Sequence, residues 1–183
     1  MSEQTNPIQS PDIPELIKDL GDPRDLTRQR ARLLLVHFSQ QSLPALLGAL
    51  HENNSHTRWE AVRALGQISN PETAGELSKM MLDDDTAVRW AAMESLVNLG
   101  HDCMGPMLEL FVKNFDSAWL REGVHHVLHV FRDRNQLNDV ELKLFDALSE
   151  QPLPGFVSSW TSEQVWAAEK VLERLDREAE KQQ

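Results

Sequence analysis

Glu122, His125 and His129 stand at i, i+3 and i+7, and His126 and Asp133 fall in the same arc of a helical wheel. A carboxylate and two imidazoles at that spacing form a donor set that one helix can turn toward a divalent cation. Ligands from a single helix normally need a second element to complete the coordination sphere. The expectation is therefore a solvated or partner-facing histidine cluster, with no cofactor and with Glu122, His125 and His129 only as incomplete metal candidates. Histidines on a binding face would make binding vary between about pH 5 and 8, where imidazole gains its charge. A second set holds Trp59 and Trp90, joined on one face by Val62, Arg63, Gly66, Met93, Glu94 and Val97. Two tryptophans beside Met and Arg have the composition of a binding hot spot, because an indole covers a large area with few rotors to freeze. Indoles lying flat across a neighbouring helix would serve packing instead. Cys103 has only His101 near it, and the chain has neither a Gly-rich phosphate loop nor a GxSxG elbow, so no catalytic residue is assigned.

Both sets lie on elements that repeat. Arg28, Arg58, Arg89 and Arg121 are separated by 30, 31 and 32 residues, and each opens a similar helical phrase: TRQRARLLLVHF, TRWEAVRALGQI, VRWAAMESLVNL and LREGVHHVLHVF. A period of this length means a solenoid, in which no unit buries its own apolar face and stacking supplies the core. On a 100° wheel the positions one before, three after and seven after each arginine face inward. The residue just after the arginine, which is Gln29, Trp59, Trp90 or Glu122, points away from the core.

A second helix precedes each of these. Pro14, Pro44 and Pro106 recur one repeat apart, with Ala74 in the third slot, and are read as helix starts. Apolar stripes follow through Leu16, Ile17 and Leu20, through Leu46, Leu47 and Leu50, through Leu77, Met80 and Met81, and through Leu108, Phe111 and Val112. The turns GDPRD, ENNSH, LDDDT and NFDSA supply caps for the second helices. NDVELKLFDALSE reads as a fifth first helix. Its partner is expected to start at a capping box formed by Thr161 and Gln164, after a long connection, Gln151 to Trp160, that either packs the array's end or binds. The expected fold is an all-α, right-handed solenoid of about five hairpins over 13–39, 42–69, 71–100, 103–132 and 138–178. A disordered segment 1–12 would precede this single domain, and a frayed tail 179–183 would follow it.

The formal charge of −11 is distributed as −4 over residues 1–26, −2 over 27–136 and −5 over 137–183. With 18 Lys and Arg against 29 Asp and Glu, the chain has no basic stripe to displace counterions from phosphates, so a nucleic-acid partner is not expected. A single cysteine excludes an intramolecular disulfide. No apolar run approaches the roughly 20 residues that cross a bilayer, and MSEQTNPIQS lacks the regions of a signal peptide. These features lead to an expectation of a cytoplasmic protein without a membrane partner; oligomeric state is not encoded in any of them.

The stretch DDDTAVRWAAMESLVNLG, residues 83–100, resembles the HEAT repeat family, in the short form found in phycobilisome-lyase-like proteins. It carries the family's acidic turn, its Val-Arg pair at Val88 and Arg89, small residues at Ala91 and Ala92, and Leu96. Arg58, Ala61 and Leu65 match in the second copy and Arg28, Ala31 and Leu35 in the first, while Val124 replaces the small residue of the fourth. The resemblance implies that the arginines form a structural ladder with the acidic turns, Arg89 with Asp84 or Asp85 and Arg121 with Asp116. It also implies that second helices line a concave surface. The expected function is a non-catalytic protein–protein interaction scaffold that binds a protein or peptide there. Trp59, Arg63, Trp90, Met93, Glu94 and Val97 would anchor the partner, and His125, His126 and His129 would extend the surface. Two alternatives come with the resemblance: a phycobilisome-lyase-like subunit acting on a bilin protein, and a metal-dependent HEAT-type enzyme, for which only His51–Glu52 supplies a His-Glu pair.

Overall fold

The computed structural model describes residues 12–149 and 157–181, the side chains of 157–161 excepted. Residues 1–11, 150–156 and 182–183, and with them most of the expected N-terminal segment and long connection, lie outside the described residues. The described residues are helical throughout: α1 Ile13–Asp19, α2 Asp25–His37, α3 Ser39–Ala49, α4 Ser55–Ile68, α5 Ala74–Lys79, α6 Thr86–Leu99, α7 Met104–Lys113, α8 Ala118–Asp133, α9 Asp139–Ser149 and α10 Val157–Glu180. Short 3-10 turns flank α5 and precede α7. None of these helices is long and apolar enough to cross a membrane.

Three of the four turns cap the second helices as their sequences suggest, whereas α2 starts after Arg24 with no side-chain cap. Asn54 accepts the His56 N–H at 2.9 Å, Asp85 the Ala87 N–H at 2.8 Å, and Ser117 the Leu120 N–H at 3.3 Å. Each satisfies a donor that the helix start leaves unpaired. From those caps the inward positions follow: Ala61, Leu65, Val88, Ala92, Leu96, Leu120, Val124 and Leu128 are all buried. They meet Leu20, Leu46, Leu50, Leu77, Met107, Leu108 and Phe111 of the first helices in one continuous core. The second helices stack in order, α2 on α4, α4 on α6 and α6 on α8. The α4–α6 crossing is close because a Cβ on Gly66 would lie 2.6 Å from Ser95 Cβ, and Ser95 Oγ donates to the Val62 carbonyl at 3.1 Å.

Three expectations about the elements are corrected. Pro44 is not a helix start: α3 begins at Ser39, one residue after α2, and Pro44 sits within it. The proline leaves only the carbonyl of the exposed Gln40 without its helical donor, a loss that solvent makes good. The fifth pair is also inverted. α9, read as a first helix, packs on the second helix α8, and α10 packs on α7. His101, in the turn before α7, holds the buried Glu141 of α9 at 2.9 Å and pins this arrangement. Finally, α10 begins at Val157, so Thr161 lies inside it and not at its start. The buried Gln164 instead donates to the Ala147 carbonyl at 3.0 Å, and the helix continues through Glu180, into the tail read as frayed.

Candidate binding groove between α6 and α8

The recurrent arginines do the same thing in three successive repeats. One terminal guanidinium nitrogen of Arg28, Arg58 and Arg89 donates to the carbonyl oxygens six and five residues earlier, at 2.8 and 3.1 Å, 2.9 and 3.2 Å, and 2.7 and 3.1 Å. Each therefore ties down the turn that leads into its own helix. The remaining nitrogens reach the next repeat where an acid is present. Arg58 pairs with Asp83 at 2.8 Å and Asp84 at 2.6 Å. Burial pushes the Asp83 carboxyl up, but the Arg58 contact and the Asp85 N–H together hold it below the usual carboxylate range.

Arg89 departs from that pattern. It does not pair with the carboxylates of Asp84 or Asp85, since Asp84 is taken by Arg58 and Asp85 caps α6. The turn ahead of it has Phe115 where the previous one has the buried Asp83, and keeps an acid, the exposed Asp116, at the place of Asp84. With no acid at the place of Asp83, the guanidinium lies over the Trp119 ring, 4.9 Å from its centroid. Arg121 occupies the first turn of α8 and Asp116 is exposed in the turn before it.

Beside Trp119 lies a groove of about 530 Å³ lined by residues of α6 and α8 with Met81. Gly123 forms its floor: a Cβ there would lie 2.6 Å from Met81 Cε and 3.0 Å from Met93 Sδ, so glycine lets both methionines come up to α8. Trp90 and Trp119 stand in it, 53% and 63% exposed. The His126 ring rests 4.8 Å from the Trp90 ring and its Nε2 is 3.0 Å from Glu94, which fixes that indole from the α8 side. His125 and His129 close the far end. His125 is stacked on Phe145 at 5.0 Å with Nε2 3.0 Å from Ser149 Oγ, and burial together with His129, Arg132 and His126 pushes its pKa down.

The HEAT repeats model matches residues 13–122, more than half of the chain. The chain belongs to the HEAT repeat family. No curated protein matches it. Among solved structures, an engineered protein from the Northeast Structural Genomics Consortium is similar at 16% identity, over 87% of this chain and 77% of its own, with a TM-score of 0.42.

Within the HEAT frame, the expected site residues divide. Trp90, Met93, His125, His126 and His129 come together in the groove, and Glu94 flanks it through His126. Trp59 and Arg63 lie one helix away: Arg63 covers the half-buried Trp59, its guanidinium carbon 4.4 Å from the ring centroid. The two indoles at +1 therefore do not form one exposed pair. Val97, like Val62 and Gly66, is buried and does not belong to the surface. The candidate metal set also comes apart. His129 Nδ1 is 3.3 Å from Asp133 and His129 Nε2 is 3.1 Å from Arg132, while His125 turns to Ser149. No group of three metal-ligating side chains converges among the described residues. Cys103 is buried and its thiol is pushed up to about 12 by burial, which leaves no thiolate for chemistry.

Trp119 and Arg89, with Met81, Thr86 and Gly123, are groove residues that the sequence reading did not place there. Trp119 precedes Glu122 by three and His126 by seven and so falls on the same arc, a visible signal. Arg89 has no such signal in its own helix, because its role follows from Phe115 standing where the previous turn has Asp83.

Proposed function

We propose that this HEAT array is a non-catalytic, cytoplasmic scaffold, a single domain over residues 13–178 that binds a protein or peptide on the face its second helices present, with Trp90 and Trp119 as anchors. The observation that carries this reading is a pair of half-exposed indoles facing one groove over a methionine floor. Exposed tryptophans beside adaptable thioethers give large contact area at low entropic cost, the combination found at energetic hot spots. Arg89 and His126 orient the rings before a partner arrives, which lowers the cost of ordering them on binding. The acidic balance of the chain argues against a nucleic-acid partner.

The test is affinity capture from native lysate with wild type and the Trp90→Ala/Trp119→Ala variant in parallel. A protein retained by wild type and lost from a variant of unchanged melting temperature supports the reading; identical captures refute it. The resemblance to phycobilisome-lyase-like arrays makes a bilin-carrying protein a second reading. A groove lined by two indoles and three imidazoles suits a tetrapyrrole too, and titration of a free bilin followed by its absorption band separates the two.

A further inference from the structure

Three repeat positions define the outward stripe of the second helices. Leu26, His56, Ala87 and Trp119 occupy the first, Gln29, Trp59, Trp90 and Glu122 the second, and Leu33, Arg63, Glu94 and His126 the third. Leu26 and Leu33, 79% and 52% exposed, extend the apolar character of the groove back to α2. The stripe crosses four helices, and at about 9 Å between neighbouring axes a segment spanning it is on the order of 27 Å long. An extended chain of about eight residues covers that distance.

One charge on this face has only a shared counter-charge. Between α2 and α4, Arg28, Arg32 and Arg63 meet two carboxylates, Glu60 and Asp25. Arg28 pairs with Asp25 at 2.7 Å, and Arg32 pairs with the buried Glu60 at 2.7 Å while also donating to Gln67 at 2.8 Å. Arg63 is left 3.7 Å from a Glu60 oxygen that Arg32 already holds, makes no hydrogen bond among the described residues, and rests on Trp59 with its side chain 37% exposed. Burial and the neighbouring Arg32 push its guanidinium pKa down, so its charge is under-compensated where it stands. A planar guanidinium with free donors, held against an indole, is suited to a carboxylate.

Resting on the inner-face binding reading, we infer that Arg63 is a carboxylate-binding subsite and that the segment laid across the second helices carries one acidic side chain between apolar residues. A single carboxylate is required because the chain's net charge of −11 disfavours a polyanion. The flanking residues are apolar because Leu26 and Leu33 lie on one side of Arg63, and Trp90 and Trp119 on the other.

The experiment selects binders from a phage-displayed library of random 12-residue peptides against wild type, Arg63→Gln and Trp90→Ala/Trp119→Ala, with melting temperatures measured for all three. Wild type is expected to enrich peptides with one Asp or Glu among apolar residues. The Asp→Asn form of a selected peptide is expected to lose tenfold or more in affinity for wild type, but nothing further for Arg63→Gln, and Arg63→Lys is expected to recover part of the loss. Peptides that depend on Trp90 and Trp119 yet carry no acid, or carry Lys or Arg instead, overturn the subsite and leave the groove reading standing. The same is true of an Asp→Asn loss equal in wild type and Arg63→Gln. Selection of no Trp-dependent peptide overturns both.

Discussion

Trp59 and Trp90 occupy the same position in consecutive HEAT repeats, yet one is half-buried under its own helix's arginine and the other stands in a groove. Four residues on, α4 has Arg63 and α6 has Glu94. The arginine folds back over its indole, whereas the glutamate reaches across to His126 and leaves Trp90 open. Two residues after the ladder arginine, α4 has the buried Glu60 and α6 has Ala91. The α4 half of the face is thus organised by buried charge and the α6 half by aromatic and thioether contact. A repeat position determines which way a side chain points, and its neighbours determine whether it remains available.

The largest way to break the comparison is at Glu60. Glu60→Gln leaves Arg32 buried without its counter-charge, and loss of one partner of such a pair costs about 3–5 kcal/mol. Chemical denaturation should show that drop, while Glu94→Gln, which removes an exposed contact, should cost less than about 1 kcal/mol. Gly123→Val comes next. Its side chain meets Met81 and Met93, so overpacking should cost about 1–3 kcal/mol and fill the groove floor, lowering both melting temperature and peptide affinity. Restoring the missing acid, Phe115→Asp, should draw Arg89 off Trp119 and bring the fourth turn into line with the third. Peptide affinity should then fall a few-fold with little change in stability, a change worth about 1 kcal/mol or less.

The smallest effect separates two histidines by sign. His101 has its pKa raised by Glu141, so its contribution is complete below the ordinary value of 6.5 and is lost as pH rises through the higher folded value. His125 has its pKa lowered by burial, so stability tied to its neutral form is present above 6.5 and is lost as pH falls toward the lower folded value. Replacing His101 with Gln should flatten the stability profile above 6.5, and replacing His125 with Gln should flatten it below. Melting curves from pH 5 to 8 decide it.

Much of the fold was legible because its signals are periodic: the arginine spacing, the inward triplets around each arginine, and the caps at Asn54, Asp85 and Ser117 all depend on local sequence. The inverted last pair was not, since which layer α9 joins is decided by contacts such as His101–Glu141 that span 40 residues. The site was legible in part. A wheel places Trp90, Met93 and the histidines on one face, but it treats Val97 and Trp59 alike as outward and cannot see the burial of the first or the arginine that covers the second.

The most direct test of the account is to measure, side by side, the affinity of a peptide selected on wild type and the melting temperature, for Trp59→Ala and for Trp90→Ala/Trp119→Ala. The account predicts an affinity loss of at least about 30-fold for the double variant, with stability within about 1 kcal/mol of wild type. Trp59→Ala should give the reverse balance, with a lower melting temperature and a smaller affinity loss. A double variant that melts well below wild type while binding the peptide undiminished would show that Trp90 and Trp119 are packing, and would contradict the account.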